Sequence, residues 1–419
     1  MRRPLVLVVV AALLAACAGT PAAPEPVTLR VVMADDWASA PIVGEVIDEF
    51  ERVNDGVEIQ LQSAPFSQIP DLASSGVELG QPHDVVHWHA FAAAAAGLAQ
   101  PLDDLWEAEG VTAEEYVPGA LEDVTWEGRR YGLPLDVNAL VLMVNEASFE
   151  RAGLGYDDVA TLEGFEAAAE QVVETSASEY AITVSASSWA AYGWIVANGG
   201  EVLSRDADGQ VTFTLDHPAN VAALEQLAGL VATERAPGPF APNLALEAVE
   251  SFAGGATAMH ASGSWDLPIA QRAAHAEVAL KDIRILPLPQ ADPQHPRTVL
   301  GGSSLFVPPD APHRETAFAL MLALTEDDVA LRLAVEEGRL PARQRVYEDP
   351  VFASSPDLAA FVELLPTAEV MPLVAYPQVA AAFREALEDA VAQRESVADA
   401  LAGAQRFAER WLAEEGAGG

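Results

Sequence analysis

The 419-residue sequence has little cysteine and little positive charge. Its single cysteine, Cys17, excludes an internal disulfide bond. Only 22 lysine and arginine residues stand against 63 aspartate and glutamate residues, which gives a formal net charge of -41. A surface of this charge repels the phosphates of nucleic acid, so we expect no nucleic-acid partner.

Motifs of several enzyme classes are also missing. The sequence has no Gly-x-Ser-x-Gly motif and no phosphate-binding loop, so acyl and phosphoryl transfer have no support. Two carboxylates could serve glycoside hydrolysis, but among 63 acidic residues such pairs arise by chance. We therefore predict a protein that performs no chemistry and needs no cofactor. A cell-surface glycoside-acting enzyme is the alternative from another class.

The N-terminus carries a targeting signal. Arg2 and Arg3 precede an apolar run, residues 5–14, that is too short to span a bilayer, so residues 1–16 are predicted to be a secretory signal peptide. Residues 14–17 (LAAC) resemble the bacterial lipobox, which implies lipidation of Cys17. Residues 17–26 are rich in Pro and Ala and are predicted to form a flexible tether. We expect an extracytoplasmic protein, in the periplasm or at the cell surface, anchored to the membrane through Cys17; a free thiol is the alternative.

Strand and helix patterns alternate after the tether. Residues 27–33 are rich in β-branched residues, residues 42–53 have apolar residues at helical spacing, and residues 57–61 alternate between apolar and polar. Strand, helix and strand in this order predict an α/β fold with mainly parallel sheets flanked by helices. The length exceeds that of one ordinary core, which favours two lobes.

Residues 128–154 contain the most informative passage. The run 139–144 (ALVLMV) is apolar at every position, as expected of a strand buried on both faces. Pro134 argues against a central strand before Leu135. We therefore predict a loop that brings Asp136 and Asn138 to the mouth of a buried sheet.

Trp37, Trp88 and His89 follow predicted strands, whose carboxyl ends meet at one rim of an α/β sheet. His87 and His89 would point to the same face of a strand and could bind a metal ion. No third ligand is evident nearby, so we predict no metal site.

Four segments together indicate a family. They are GRRYGLPLDVNALVLMVN, NGGEVLSRDADGQVTFTLDHP, FAGGATAMHASGSWDL, and GGSSLFVPPDAPHRETAFALMLALT with GRLPARQ after it. In this order and spacing the chain, from about residue 28 to its C-terminal helix, resembles the family 1 extracellular solute-binding proteins, the sugar-binding components of ABC importers.

The resemblance implies a periplasmic-binding-protein type II fold with three hinge crossings, near residues 136–140, 286 and 338. Lobe one would comprise 27–138 and 287–338, and lobe two 139–286 and 339–419. The protein would capture a mono- or oligosaccharide in the cleft between the lobes, close by a hinge motion, and deliver the sugar to an ABC permease. We expect a monomer. The alternative ligand is a non-sugar polar solute such as a glycerol phosphate.

A neutral sugar needs flat aromatic platforms and paired hydrogen-bonding groups. The predicted platforms are Trp37, Trp88, Trp194 and Trp265. The predicted hydrogen-bonding residues are His89, Asp136, Asn138, Ser264, Ser303 and Arg343, and the predicted positions of close backbone approach are Gly263 and Gly302. Three alternatives remain open: Trp194 packs in a core, Asp136 only braces the hinge, and Arg343 pairs with acidic surface residues instead of clamping a carboxylate.

Overall fold

The structure, a computed structural model, describes residues 27–184, 187–206, 209–238, 245–273, 278–279 and 282–418. The predicted signal peptide (1–16), the predicted lipidation site Cys17 and the tether (17–26) lie outside the described residues. Within the described ranges, no helix combines the length and apolar character that crossing a membrane requires.

The described strands fall into two larger sheets and two small ones. They are β1 (Val27–Ala34), β2 (Val57–Ala64), β3 (Val85–Trp88), β4 (Thr125–Trp126), β5 (Arg129–Arg130), β6 (Gly132–Ala139), β7 (Val141–Asn145), β8 (Tyr180–Thr183), β9 (Leu203–Arg205), β10 (Val211–Phe213), β11 (Thr257–Ser262), β12 (Ile283–Leu286), β13 (Thr298–Phe306), β14 (Leu340–Pro341) and β15 (Ala368–Val370).

Helices flank both larger sheets. They are α1 (Asp35–Ala38), α2 (Pro41–Val53), α3 (Ile69–Glu78), α4 (Ala90–Ala95), α5 (Asp103–Ala108), α6 (Pro118–Glu122), α7 (Glu146–Ala152), α8 (Leu162–Glu174), α9 (Ser188–Ala197), α10 (Pro218–Ala232), α11 (Ala245–Ala253), α12 (Asp266–Arg272), α13 (Arg314–Leu324), α14 (Asp327–Glu337), α15 (Pro350–Ser354), α16 (Pro356–Leu364), α17 (Pro377–Val391) and α18 (Val397–Gly418).

The two larger sheets are mixed. The first has the order β14-β6-β13-β3-β1-β2, with β15 beside β13, and the second has the order β12-β7-β11-β8. Pairs β1–β2, β1–β3, β13–β15 and β8–β11 are parallel, whereas β13 runs antiparallel to β3 and β6, and β7 antiparallel to β11 and β12. The α/β class is confirmed. The expectation of mainly parallel sheets is wrong, because the strands next to the crossings reverse direction where the chain enters or leaves a sheet.

Strand β7 is buried on both faces, as its unbroken apolar run predicts. Val141 and Met143 belong to the core that includes the first sheet, and Leu142 and Val144 belong to the core around α8 and α9. A strand that is covered on both faces needs an apolar residue at every position, since successive side chains point to opposite sides.

Among the described strands, the chain passes between the two larger sheets at two places. Strand β6 in the first sheet continues through Leu140 into β7 in the second, and β12 in the second sheet leads back to β13 in the first. No passage between the sheets occurs at the predicted third crossing near Gly338, because β14 and β15, the strands that follow it, both belong to the first sheet. The predicted end of lobe one at residue 338 is therefore too early, because the strand that follows it still pairs within the first sheet. The other lobe limits stay predictions.

The prediction of a loop before Asp136 is wrong. Pro134 lies inside β6, which is hydrogen-bonded between β13 and the short β14. The register of β6 with β13 shifts between Ser303 and Ser304, opposite Pro134, and β14 reaches only Val137 and Asp136. A proline that lacks an N–H donor is tolerated beside such an irregularity, where the ladder is already interrupted.

Candidate functional site

A cavity of about 320 Å³ lies where the crossing strands β6 and β13 meet the loop between β11 and α12. This volume is at the lower end of the range of small-molecule sites. The cavity is lined by Ala34, Asp36, Trp37, Phe66, His87, His89, Asp136, Asn138, Trp189, Trp265, Gly301, Gly302, Ser303, Arg339, Met371 and Val374.

Alternation along the strands selects which side chains face the cavity. Asp136 and Asn138 are two residues apart in β6, and His87 and His89 are two apart at the end of β3, so each pair lies on one face. Trp37 follows β1 at the start of α1, where the carboxyl end of the strand meets the same rim.

A chain of hydrogen bonds fixes the polar wall. The backbone N–H of Ala34 donates to His87 Nδ1 at 3.2 Å, which leaves Nε2 of His87 to donate to Ser303 Oγ at 2.7 Å. Ser303 Oγ in turn donates to Asp136 Oδ1 at 2.6 Å. Burial lowers the pKa of His87 to about 3, so the imidazole is neutral at neutral pH, in agreement with this direction of donation.

Burial also raises the pKa of Asp136 to about 6, against the opposing effects of the Arg339 charge and the Ser303 hydrogen bond. The carboxylate is therefore ionised at neutral pH and able to accept hydrogen bonds from a ligand. Asn138 offers a second acceptor, since its buried Oδ1 has no hydrogen-bond partner among the described residues. His89 is held by Asp123, with 2.6 Å between Nδ1 and Oδ1.

Aromatic rings form much of the remaining lining. Trp265 packs against Trp189 with ring centroids 5.5 Å apart, and Trp189 is fixed by donating from Nε1 to the carbonyl of Leu300 at 3.1 Å. The ring of Trp265 folds over Gly263, where a Cβ atom would lie 2.0 Å from the indole. Only glycine at this position leaves room for the ring.

Arg339 connects the two sides of the cavity. Its guanidinium carbon lies 5.3 Å from the ring centroid of Trp37 and 5.9 Å from that of Trp265, and the group is ion-paired with Asp36. A positive charge between two indole faces is stabilised by both rings.

A family profile of bacterial extracellular solute-binding proteins matches residues 45–360, most of the chain. The chain belongs to this family. The solute-binding protein is 22% identical to a binding protein of Brucella abortus (strain 2308) over 357 residues, 83% of this chain and 84% of that protein.

Solved structures share its fold. Maltose-bound MalE3 from T. maritima superposes with a TM-score of 0.77 at 19% identity, covering 92% of this chain and 100% of that one. UgpB from Mycobacterium tuberculosis, in complex with glycerophosphocholine, superposes with a TM-score of 0.80 at 20% identity, covering 94% and 100%. The two-lobed fold is thereby confirmed. The family binds solutes outside the cytoplasm, so the chain is an extracytoplasmic solute-binding protein and not an enzyme.

Seven of the residues predicted for the site of this solute-binding protein line the cavity. They are Trp37, His89, Asp136, Asn138, Trp265, Gly302 and Ser303. Their contact with a ligand stays a prediction.

Five other predicted residues do not line it. Trp88 lies on the face of β3 opposite His87 and packs against the cluster around Phe91. Trp194 is a core residue whose ring centroid lies 5.3 Å from that of Phe165. Gly263 lies behind the ring of Trp265.

The remaining two form structural contacts. Ser264 Oγ donates to the carbonyl of Gly338 at 2.5 Å, which ties the Trp265 loop to the end of α14. Arg343 turns away from the cavity, donating to Glu115 at 2.6 Å and to the carbonyl of Thr325 at 2.9 Å. The idea that Arg343 clamps a ligand carboxylate is therefore wrong.

Sequence reasoning missed several lining residues. Those whose side chains line the cavity are Asp36, Phe66, His87, Trp189, Arg339, Met371 and Val374. Two of them could have been found from the sequence. Asp36 directly precedes Trp37, which is assigned to the rim, and Trp189 lies in the same aromatic helix as Trp194. Phe66, Met371 and Val374 had none.

His87 and His89 both face the cavity, yet both ring nitrogens of His87 are already hydrogen-bonded within the protein. Among the residues that the structure describes, no group of three His, Cys, Asp or Glu side chains is placed to hold a metal ion.

Proposed function

We propose that this solute-binding protein captures a neutral sugar, a mono- or oligosaccharide, in the cavity between its two sheets and delivers it to an ABC permease. One observation carries the proposal: aromatic rings and buried hydrogen-bonding groups line a single cavity. A sugar presents the matching surfaces, weakly apolar C–H faces and a rim of hydroxyls.

The polar wall suits hydroxyl groups in particular. Asp136 is an acceptor with a fixed orientation, because Ser303 holds one of its oxygens. Asn138 supplies both an acceptor and donors, and His89 is oriented by Asp123. Trp37 and Trp265 supply platforms from opposite sides of the cleft. Few well-placed polar groups among apolar walls are typical of small-molecule sites.

The charges favour a neutral ligand over an anion. Arg339 is already neutralised by Asp36, and Asp136 places a second carboxylate at the cavity. A phosphate would meet repulsion from Asp136 with no unpaired cation among the described lining residues to offset it. The structural likeness to UgpB with glycerophosphocholine nevertheless makes a phosphorylated polar solute the second candidate.

Membrane anchoring through Cys17 and a monomeric state belong to the same proposal. The lipobox-like residues 14–17 support the anchor. A tethered monomer would remain near its permease while the cleft opens and closes.

A ligand-induced thermal shift tests the proposal. The panel contains glucose, maltose, maltotriose, cellobiose, trehalose, glycerol 3-phosphate and glycerophosphocholine. We expect one or more sugars to raise the melting temperature, since a ligand that binds only the folded state stabilises it. Stabilisation by the phosphorylated compounds alone would favour the second candidate.

Trp265→Ala should remove most of the sugar-induced shift without unfolding the protein, because it deletes a platform at the cavity. Trp126→Ala is the matched control, a half-buried tryptophan on β4 that does not line the cavity. An unchanged shift in Trp265→Ala would show that the platform lies elsewhere.

A further inference from the structure

A second cavity of about 140 Å³ lies against the first and shares one wall with it. Four residues line both cavities: Asp36, Trp37, Trp265 and Arg339. The outer cavity differs in character, because Arg272 and Glu337 line it and form an ion pair at 3.1 Å. The inner cavity is lined mainly by apolar and aromatic groups, and the outer one has a larger polar share.

The shared wall consists of the Arg339 guanidinium between two indole rings. Trp37 follows β1 of the first sheet, and Trp265 follows β11 of the second, so the rings approach from opposite sides of the cleft. The guanidinium carbon lies 5.3 Å and 5.9 Å from the two ring centroids. The Arg339 side chain is 14% exposed and lines both cavities.

The wall is held by contacts that can be broken. Asp36, the ion-pair partner of Arg339, is 56% exposed. Ion pairs with such an exposed partner contribute little, and cation–π contacts near solvent are individually weak. Arginine also has a long side chain with many rotamers, so the guanidinium can leave the gap without a backbone change.

We propose that Arg339 is a removable partition that sets the length of the ligand. With the guanidinium in place, a ligand is confined to the inner cavity. Without it, Trp37 and Trp265 flank one continuous site, and the polar outer part offers Asp36, Arg272 and Glu337 to the hydroxyls of an additional sugar unit. This inference rests on the proposed function of sugar capture.

Titration calorimetry with maltose, maltotriose and maltotetraose, and with the matching cello-oligosaccharides, tests the partition. The wild type should prefer the shorter members. In Arg339→Ala the ratio of affinity for the tetrasaccharide to affinity for the disaccharide should rise about tenfold, the effect of about one added hydrogen bond between a sugar hydroxyl and a side chain of the outer cavity.

Two variants serve as controls. Arg339→Met fills the gap without a charge and should keep the wild-type ratio within about threefold. Arg332→Ala removes an ion-paired arginine of α14 that lines neither cavity, and should not change the ratio. An equal change of the affinity ratio in Arg339→Met and Arg339→Ala would overturn the partition and indicate a charge effect. A wild type that binds short and long oligosaccharides equally well would also overturn it.

A ligand-free crystal structure of Arg339→Ala decides the same question without any sugar. We expect the two cavities to be continuous. Collapse of Trp37 onto Trp265, with the cavities still separate, would overturn the inference. If no sugar binds the wild type, the proposed function of sugar capture is contradicted instead. The experiments therefore distinguish failure of the partition from failure of the proposed function.

Discussion

The buried carboxylate of Asp136 destabilises the folded protein, and the same carboxylate is available to accept hydrogen bonds from a ligand. It is 4% exposed, and burial raises its pKa to about 6. Below about pH 4 it is protonated in both the folded and the unfolded protein. As the pH rises from about 4 to 6, the unfolded chain loses the proton first, so this residue lowers the free energy of unfolding. Above about pH 6 the cost is constant, and the ionised carboxylate is a strong acceptor in the cavity.

Asp136→Asn should separate the two effects. The amide oxygen can still accept from Ser303, and no buried charge remains. We expect the variant to gain about 2–3 kcal/mol of stability relative to the wild type as the pH rises from 4 to 7.5, measured by urea unfolding. Its affinity for the stabilising sugar should fall about tenfold at pH 7.5 and change little at pH 5, where the wild-type carboxyl is protonated.

The control is Asp357→Asn. Burial also raises the pKa of Asp357, but this residue does not line the inner cavity. Ligand affinity should therefore stay constant in that variant. A wild-type affinity that does not vary between pH 5 and 7.5 would mean that Asp136 does not contact the ligand.

At single positions, the sequence indicates types of residue better than directions of side chains. Trp37 and Trp265 are predictable because each follows a strand end, whereas Asp136 is predicted in a loop and lies inside β6. Arg339 and Arg343 are four residues apart in one motif, and only the packing of the chain beyond β14 sends one guanidinium to the cavity and the other to Glu115. Trp189 and Trp194 belong to one aromatic helix, and its docking decides which ring is core.

At the scale of elements, the crossing strands β6 and β13 approach each other unusually closely. Gly302 pairs with Val137 and has a φ of +129°. A Cβ atom at this position would lie 2.4 Å from the carbonyl oxygen of Asp136. Both the backbone conformation and the space therefore require glycine.

Gly302→Ala should cost about 3 kcal/mol or more in stability, from left-handed strain together with a backbone clash. Gly56→Ala is the matched control, because Gly56 has a φ of +85° and a Cβ atom there would meet no other group within 4 Å. Strain alone should cost about 1 kcal/mol there. Urea-unfolding curves of the two variants measure the difference, and equal costs would show that β6 moves away easily.

The order of elements can be predicted because apolar periodicity is local. The double burial of β7 follows directly from its composition. Strand direction is not local, so the antiparallel pairs beside the crossings do not follow from alternating strands and helices. The place of Pro134 inside a strand is equally hidden, because its tolerance depends on the register shift in β13, more than 160 residues later.

At the scale of the whole molecule, the cavity joins parts of the chain that belong to different sheets. Trp37 and His89 follow strands of the first sheet, and Trp265 follows a strand of the second. Asp136 lies in β6, which leads directly into the second sheet through Leu140. A ligand that contacts all of these groups bridges the sheets and favours a closed arrangement over an open one.

We therefore predict that a bound sugar reduces the radius of gyration in small-angle scattering, and that Asp136→Ala weakens both affinity and closure. Removing the carboxylate deletes a contact on the crossing strand itself, so less binding free energy is available to shift the lobe equilibrium. At saturating sugar, the variant should show a smaller decrease in the radius of gyration than the wild type. Trp126→Ala should behave like the wild type in both measurements, since it lies outside the cavity. Full closure of Asp136→Ala at saturation, despite weaker binding, would mean that the crossing strand is a ligand contact without a part in the hinge motion.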